Sequence, residues 1–517
     1  MSMTTPAAPE PPETGALAWP QDAALLEALG PWLLQRRWFP LKGAAAPAPG
    51  SLSIVASWEP AAGVRNLLIA APRGDEGGRE PVIMQVPLVL EEAGALEGFS
   101  TPGQAPGSHG LIAQSPRGAV ALVDGAHHPA FWRAWAAGAL EDGTVLDEQG
   151  ARAIAQRAGR LRVTTGEQSN TSVVLPAPAG PQEAGGPQDA ATGDLIVKLL
   201  RVLAHGRNPD VEVSVALARD GWDRVRRPVA WSALSWTRPD GSRATTDSAV
   251  ACAFIPRADD GFELFCELAS QDDGAGPVRR RAQELAEELG RTTAHMHAHL
   301  AAALGADRAQ SPAELAAALR ERAEWATAEV PELAERLPGL GDRIQAALAA
   351  LGTLEALEPA TRVHGDYHLG QVLHEVEGAQ RWYVLDFEGE PLRPLAQRSR
   401  PDQPLRDVAG MLRSFDYAAA VGRAARPDWL AAVRGSFTRG YEAERPARGA
   451  EERRARTVLL TCLELDKALY EAVYEARNRP DWLGIPVAGI SALTAEPPGA
   501  RLGAPVSWEA PSDRDAP

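Results

Sequence analysis

Leu25, Leu26, Leu29, Leu33 and Leu34 recur at helical spacing, so the chain is predicted to open with a helix over 21–38, ended by Pro40 and Gly43. Short apolar and β-branched runs at 53–57, 66–70, 82–89 and 119–123, separated by Gly- and Pro-containing stretches, predict strands. This first block, to about residue 140, reads as a small sheet with helices at its ends. A helix over 146–159 leads to further strands at 171–175, 194–200, 229–235 and 249–254. Residues 176–193 are rich in Pro, Gly, Ala and Gln, lack periodicity, and read as a flexible hairpin insertion. A helix is predicted over 209–219, with Pro209 in its first turn and Asn208 as its cap.

After Pro256 the pattern becomes helical, at 262–270, 278–304, 312–329, 331–351, 404–423, 428–439 and 451–478, around a short β-rich segment at 361–392. In the last of these helices Val458, Cys462, Leu465, Leu469, Val473 and Ala476 step by three or four, which makes a buried stripe. Residues 1–15 and the end after about 496 read as disordered tails. The expected division is 1–140, 141–257 and 258–517.

Composition narrows the class. The 517 residues carry a net charge of −16, so nucleic acid is not an expected partner, and an anionic substrate must meet local positive charge or a metal. Cys252, Cys266 and Cys462 are too few and too scattered for a disulfide framework or a zinc site, which suits a reducing cytoplasm. The first fifteen residues lack the basic and apolar regions of a signal peptide, and no stretch reaches the roughly 18 apolar residues of a membrane span. A soluble, cytoplasmic protein of α/β or α+β class, without a membrane partner, is expected.

The chemistry concentrates in His364-Gly365-Asp366-Tyr367-His368-Leu369-Gly370-Gln371, followed by Leu385-Asp386-Phe387-Glu388. Phosphoryl transfer from ATP needs one carboxylate to orient the attacking hydroxyl and accept its proton, and oxygen ligands for Mg²⁺. Asp366 fits the first role, Gln371 and Asp386 the second. The plain alternative is an Asp- and Gly-rich turn, which the spacing of the whole set disfavours. Upstream, strand residue Lys198 precedes Glu212 of the following helix by fourteen positions. A strand lysine held by a helix glutamate neutralises phosphate charge. The polar turn 166–172, with Ser169, Asn170 and Thr171, offers hydroxyls and backbone N–H groups to cover phosphates, or is an ordinary hairpin.

With EQSNTSVV at 167–174, IVKLLR and NPDVEV within 196–213, HGDYHLGQVL at 364–373, the run over 384–419 and LDKALYEAVYEARNRPDWLGIP at 465–486, the chain resembles the maltokinases. These belong to the aminoglycoside-phosphotransferase-like, protein-kinase-like small-molecule kinases. RRWFPLKG in the first block resembles that family's opening element loosely. The resemblance implies a bilobal α+β protein-kinase-like fold, with an N-terminal α/β cap over 1–140, a sheet-based nucleotide lobe over 141–257 and a helical lobe over 258–517. It implies ATP- and Mg²⁺-dependent phosphorylation of maltose at its anomeric hydroxyl, giving maltose 1-phosphate for α-glucan synthesis. Asp366 then corresponds to the catalytic base, Gln371 and Asp386 to magnesium ligands, and Lys198 and Glu212 to the phosphate lysine and its partner. Read instead as a non-catalytic scaffold, the chain would be held to a trehalose synthase partner through its cap. The insertion at 176–193 and the RWFPLKG wording depart from the family pattern.

For the acceptor sugar, Asp466, Tyr470, Tyr474 and Arg477 step by four, four and three along the 451–478 helix, as a pocket wall or as a solvated face. His368 is a sugar contact or a structural loop histidine. Glu388 is a further candidate, and so is Asp416 unless it pins a helix. Arg406-Asp407 is expected to order the active loop through hydrogen bonds. His295, His297 and His299 read as helix packing and surface. The rivals are another sugar kinase on the same scaffold, such as a glucosamine kinase, an aminoglycoside-modifying enzyme, and a non-catalytic scaffold. Intact Lys198, Asp366, Gln371 and Asp386 argue against the last.

Overall fold

The computed structural model describes residues 17–41, 47–48, 50–73, 80–92, 110–115, 119–164, 169–178, 193–307, 310–390 and 393–495. The expected tails, positions 179–192 of the expected insertion, Lys42, Gly43 and the 166–168 part of the polar turn lie outside the described residues. The chain forms two compact units, Met1–Gly206 with Pro228–Phe254, and Arg207–Arg227 with Ile255–Pro517.

The first unit holds helices α1 (Asp22–Leu34), α2 (Pro129–Glu141) and α3 (Glu148–Arg157). Its first sheet is built from β1 (Ser53–Ala61), β2 (Val64–Ala71), β3 (Val82–Glu92), β4 (Leu111–Gln114) and β5 (Val120–Asp124), ordered β1-β2-β3-β5-β4. The second comprises β6 (Arg162–Val163), β7 (Asn170–Leu175), β8 (Leu195–Leu200), β10 (Pro228–Thr237) and β11 (Arg243–Ala253), ordered β10-β11-β8-β7-β6, while the short β9 (Val202–Leu203) crosses to pair with β3. All pairings in both sheets are antiparallel. Alternation sorts the faces: Leu67, Ile69, Met84, Val86 and Leu88 pack with Leu25, Leu29 and Leu33 of α1, whereas Val64 and Val89 pack with Phe131 and Trp132 of α2.

The second unit is mostly helical. It contains α4 (Pro209–Arg219), α5 (Gly261–Ser270), α6 (Pro277–Leu304), α7 (Pro312–Glu329), α8 (Glu332–Arg336), α9 (Leu340–Gly352), α10 (Leu395–Arg398), α11 (Leu405–Val421), α12 (Trp429–Glu444), α13 (Ala450–Asn478) and α14 (Gly484–Thr494). Strands β12 (Ala258–Asp260), β15 (Val372–Glu375) and β16 (Trp382–Val384) form one small sheet, and β13 (Ala306–Asp307) with β14 (Ala360–Thr361) another. The helix expected over 331–351 is two helices, because Pro338 and the left-handed Gly339 (φ 72°) interrupt it. The expected division placed α4 with the second group of strands. The structure instead puts it in the helical unit, where Val213, Leu217, Trp222 and Val225 complete the apolar core. Phe265 anchors that core, with ring centroids 4.9 Å from Phe415, 6.1 Å from Trp382 and 6.5 Å from Trp429. Sheet-rich and helical units together make an α+β chain. No described helix is long and apolar enough to cross a membrane.

Helices α6 and α12 meet at backbone contact. A Cβ on Gly290 would overlap the Phe437 carbonyl, and one on Gly440 the Glu287 carbonyl. Gly435, on the same helix as Gly440, has only the tip of Arg439 nearby, at 3.7 Å. Gly440→Ala is therefore expected to lose about 1–3 kcal/mol through overpacking. Gly435→Ala should be neutral or gain up to about 1 kcal/mol from helix propensity. Urea unfolding of the two variants checks the difference.

Candidate active site

The catalytic-loop candidate runs from β14 into β15. Val372, Leu373 and His374 of β15 pair with Val384, Tyr383 and Trp382 of β16, and Leu385 N–H donates to the Gln371 carbonyl at 2.9 Å. This hairpin converts a sequence separation of fifteen residues into adjacency: the Gln371 amide nitrogen lies 3.5 Å from Asp386 Oδ2. His364 ties the two segments together. Its Nε2–H donates to the Leu385 carbonyl at 2.7 Å, and its ring lies 4.8 Å from Phe387. Gly365 (φ 86°) and Asp386 (φ 60°) both take left-handed backbone. Glycine does so freely, and aspartate tolerates it better than most residues, so strain is concentrated at Asp386.

Helix α11 clamps this loop. Buried Asp407 accepts the backbone N–H of His364 at 2.8 Å and of Gly365 at 2.9 Å, and His297 Nε2 lies 3.1 Å from the same carboxylate. Burial pushes the Asp407 carboxyl up, but these donors outweigh it and hold the group below its ordinary range. Burial keeps His297 neutral, so its Nε2–H donates to Asp407 and its Nδ1 accepts from the Tyr441 hydroxyl at 3.0 Å. The ordering role expected of Asp407 is thus present, and His297, expected only to pack, is its support. Gly410 allows the close approach: a Cβ there would lie 2.6 Å from the Tyr367 carbonyl. Tyr367 in turn hydrogen-bonds Thr293 of α6 at 3.0 Å.

Asp366 is met by Lys467 of α13, whose Nζ donates to Asp366 Oδ1 at 3.1 Å and to Glu390 Oε1 at 3.2 Å. Burial raises the Asp366 carboxyl, but Lys467, with His368 and His364, more than reverses this and holds it below the usual range. Burial lowers the Lys467 ammonium, and Asp366, Glu390 and Glu471 together more than restore it, so it stays charged. Lys467 stands inside the LDKALYE run, where its spacing alone does not mark it as a partner of Asp366.

A second acidic group adjoins the loop. Ligand oxygens of Asp210, Asp386 and Glu388 lie within 4.8 Å of one another. Asp210, in the first turn of α4, also accepts the Phe387 N–H at 3.0 Å. Half-buried carboxylates with the Gln371 amide alongside suit a hard, oxygen-seeking cation such as Mg²⁺. Asp210 lies in the NPDVEV run, where an acidic residue also suits the start of a helix. Glu388, expected as a sugar contact, joins this cluster instead.

The remaining candidates have these partners. Glu212 pairs with Arg362 at 2.5 Å. In the first unit Lys198 lies on β8 opposite Ser172 and Val250. Ser169 is exposed and Asn170 is buried, while the Thr171 hydroxyl, expected to cover phosphate, accepts from buried Arg201 at 2.8 Å. Arg201 also pairs with Asp124 at 2.6 Å. His368 caps its own turn by accepting the Gly370 N–H at 3.1 Å. Asp416 is pinned by Arg413 and by Arg434, the latter at 2.9 Å. Asp466 is buried between Arg322 at 2.6 Å and Arg406 at 2.9 Å, a structural ion pair in place of the expected sugar contact. Tyr470 does border the site, with Lys467 Nζ 5.3 Å from its ring centre. Farther along α13, Tyr474 is exposed under Arg479, and Arg477 pairs with Glu329 at 2.5 Å. The expected stripe therefore splits: the face toward Asp366 carries Lys467 and Tyr470, not Asp466.

Replacing Asp407 by Ala strands two backbone N–H groups and His297, so a loss of about 3 kcal/mol or more is expected in urea unfolding. Asp407→Asn, which keeps one acceptor oxygen, should lose less.

The model of the phosphotransferase enzyme family matches residues 244–450. A glucosamine kinase of Streptacidiphilus jiangxiensis is 32% identical over 314 residues, covering 57% of this chain and 68% of that protein. A glucosamine kinase of Mycolicibacterium smegmatis (strain ATCC 700084 / mc(2)155) is 29% identical over 359 residues, covering 66% and 81%. A solved structure of a glucosamine kinase in complex with glucosamine, ADP and inorganic phosphate is similar at a TM-score of 0.58 and 25% identity, over 92% of this chain and 99% of that one.

Proposed function

Because this chain belongs to the phosphotransferase enzyme family, as a protein-kinase-like sugar kinase related to glucosamine kinases, we propose that it transfers the γ-phosphoryl group of ATP to a hydroxyl of glucosamine. The observation that carries the reading is the loop in which Asp366 is held ionised while Asp407 fixes the backbone before it. A carboxylate so placed orients the acceptor hydroxyl and takes its proton as the new O–P bond forms and the bond to ADP breaks. Asp210, Asp386 and Glu388, with Gln371, are the residues that would hold Mg²⁺, which when bound neutralises phosphate charge. Lys198 is the proposed contact to the nucleotide phosphates. Support for glucosamine comes from the relatives and the solved structure. Maltose, the acceptor implied by the sequence resemblance, becomes the comparator.

Coupled ADP release with ATP and Mg²⁺ across glucosamine, maltose, glucose and an aminoglycoside, with phosphorus NMR of the product, tests the acceptor. Turnover favouring glucosamine is expected, and turnover on maltose alone would restore the maltokinase reading. Asp366→Asn should lower kcat by about 10²–10⁴-fold with little change in KM for ATP. Asp386→Ala should instead raise the Mg²⁺ concentration needed for half-maximal turnover by about tenfold or more.

A further inference from the structure

We infer that Lys467 is a positioning residue for Asp366, a role that rests on the reading of Asp366 as the group that receives the acceptor proton. Three observations converge. Lys467 Nζ bridges Asp366 Oδ1 at 3.1 Å and Glu390 Oε1 at 3.2 Å, so a single ammonium joins the catalytic-loop carboxylate to one from the segment after Asp386. Glu390 is itself buried and is held from the other side by Arg393 at 2.6 Å, so the anchor of the ammonium is fixed. Finally, Lys467 projects from the middle of the 29-residue helix α13, whose Cys462, Leu465, Leu469 and Val473 are packed in the core of the unit. The ammonium is therefore delivered by a rigid element, not by a loop.

The groups around this contact set its consequences. Asp366 faces Lys467 from α13 and His364 and His368 from its own loop. Lys467 faces Asp366, Glu390 and Glu471, and its ammonium lies over the Tyr470 ring. His364 is committed to the Leu385 carbonyl and His368 to the Gly370 N–H. Lys467 is thus the permanent cation at Asp366. It holds one carboxylate oxygen in place and leaves the other for the acceptor hydroxyl, and it keeps the carboxylate ionised at lower pH than an isolated aspartate.

The test compares wild type, Lys467→Met, Lys467→Arg and Glu390→Gln in two reactions: transfer to glucosamine, and slow hydrolysis of ATP with water as acceptor. The second does not depend on which sugar the site takes. Lys467→Met is expected to lower kcat about 100-fold in both, with KM for ATP changed less than about threefold. The acid limb of its kcat profile should move to higher pH, because Asp366 loses the cation that keeps it ionised. Lys467→Arg should recover much of the rate and leave that limb near its wild-type position. Glu390→Gln, which keeps the Lys467–Asp366 pair but frees its anchor, should lower kcat about tenfold and decides the matter if Lys467→Met does not fold. A Lys467→Met enzyme with full kcat, or with a reduced kcat and an unmoved acid limb, overturns the role, as does an unchanged kcat in Glu390→Gln. Wild-type hydrolysis without transfer to glucosamine overturns only the acceptor, and the Lys467 comparison then rests on hydrolysis. A wild type without either reaction overturns both.

Discussion

A buried carboxylate, that of Asp407, converts a helix terminus into the reference frame of the active loop. Two consecutive backbone N–H groups, those of His364 and Gly365, end on its two oxygens, and His297 approaches one of them. Burying an anion is costly unless each of its acceptor sites is filled, and here the loop does part of the filling. The loop therefore cannot rearrange without exposing an unpaired charge in the core. Asp366 inherits its direction from that constraint, and the hairpin of β15 and β16 adds Gln371 and Asp386 at a fixed distance.

The clamp works because the helices around it approach closely. Gly410 lets α11 rest against the Tyr367 carbonyl, and Gly290 and Gly440 let α6 and α12 touch at the backbone. Since α6 carries both His297 and Thr293, the position of α12 is transmitted to the loop through packed atoms. In this unit packing and chemistry use the same residues, so stability and turnover should respond together to substitution at the helix contacts.

Much of this was legible in the sequence. The HGD and DFE elements are contiguous and regularly spaced, so Asp366, Gln371 and Asp386 could be singled out as candidates without coordinates, and periodicity located most helices. What escaped was the identity of partners distant along the chain. Lys467 reaches Asp366 across 101 positions. The apolar stripe on α13 fixes which side is buried but leaves two polar flanks, and periodicity cannot say which flank meets the loop. Asp466 and Lys467 differ by about 100° around the helix, which is enough to send one to Arg322 and Arg406 and the other to the active loop. Asp210 escaped for a different reason: helix-start chemistry accounts for an acidic residue in a first turn, so nothing at that position demanded a second explanation.

The interleaving of the two units bears on how the polypeptide is made. Residues 207–227 belong to the helical unit, yet they leave the ribosome before β10 and β11 have completed the first unit. The long helix that α4 packs against, α6, begins only at Pro277. During synthesis the apolar face of α4 therefore waits for α6 over the 57 residues, 220–276, that separate the two helices, a delay of roughly 3–11 seconds at about 5–20 residues per second. A nascent chain in that interval presents an orphan surface, and no single cut of the polypeptide would separate the two units with both cores complete.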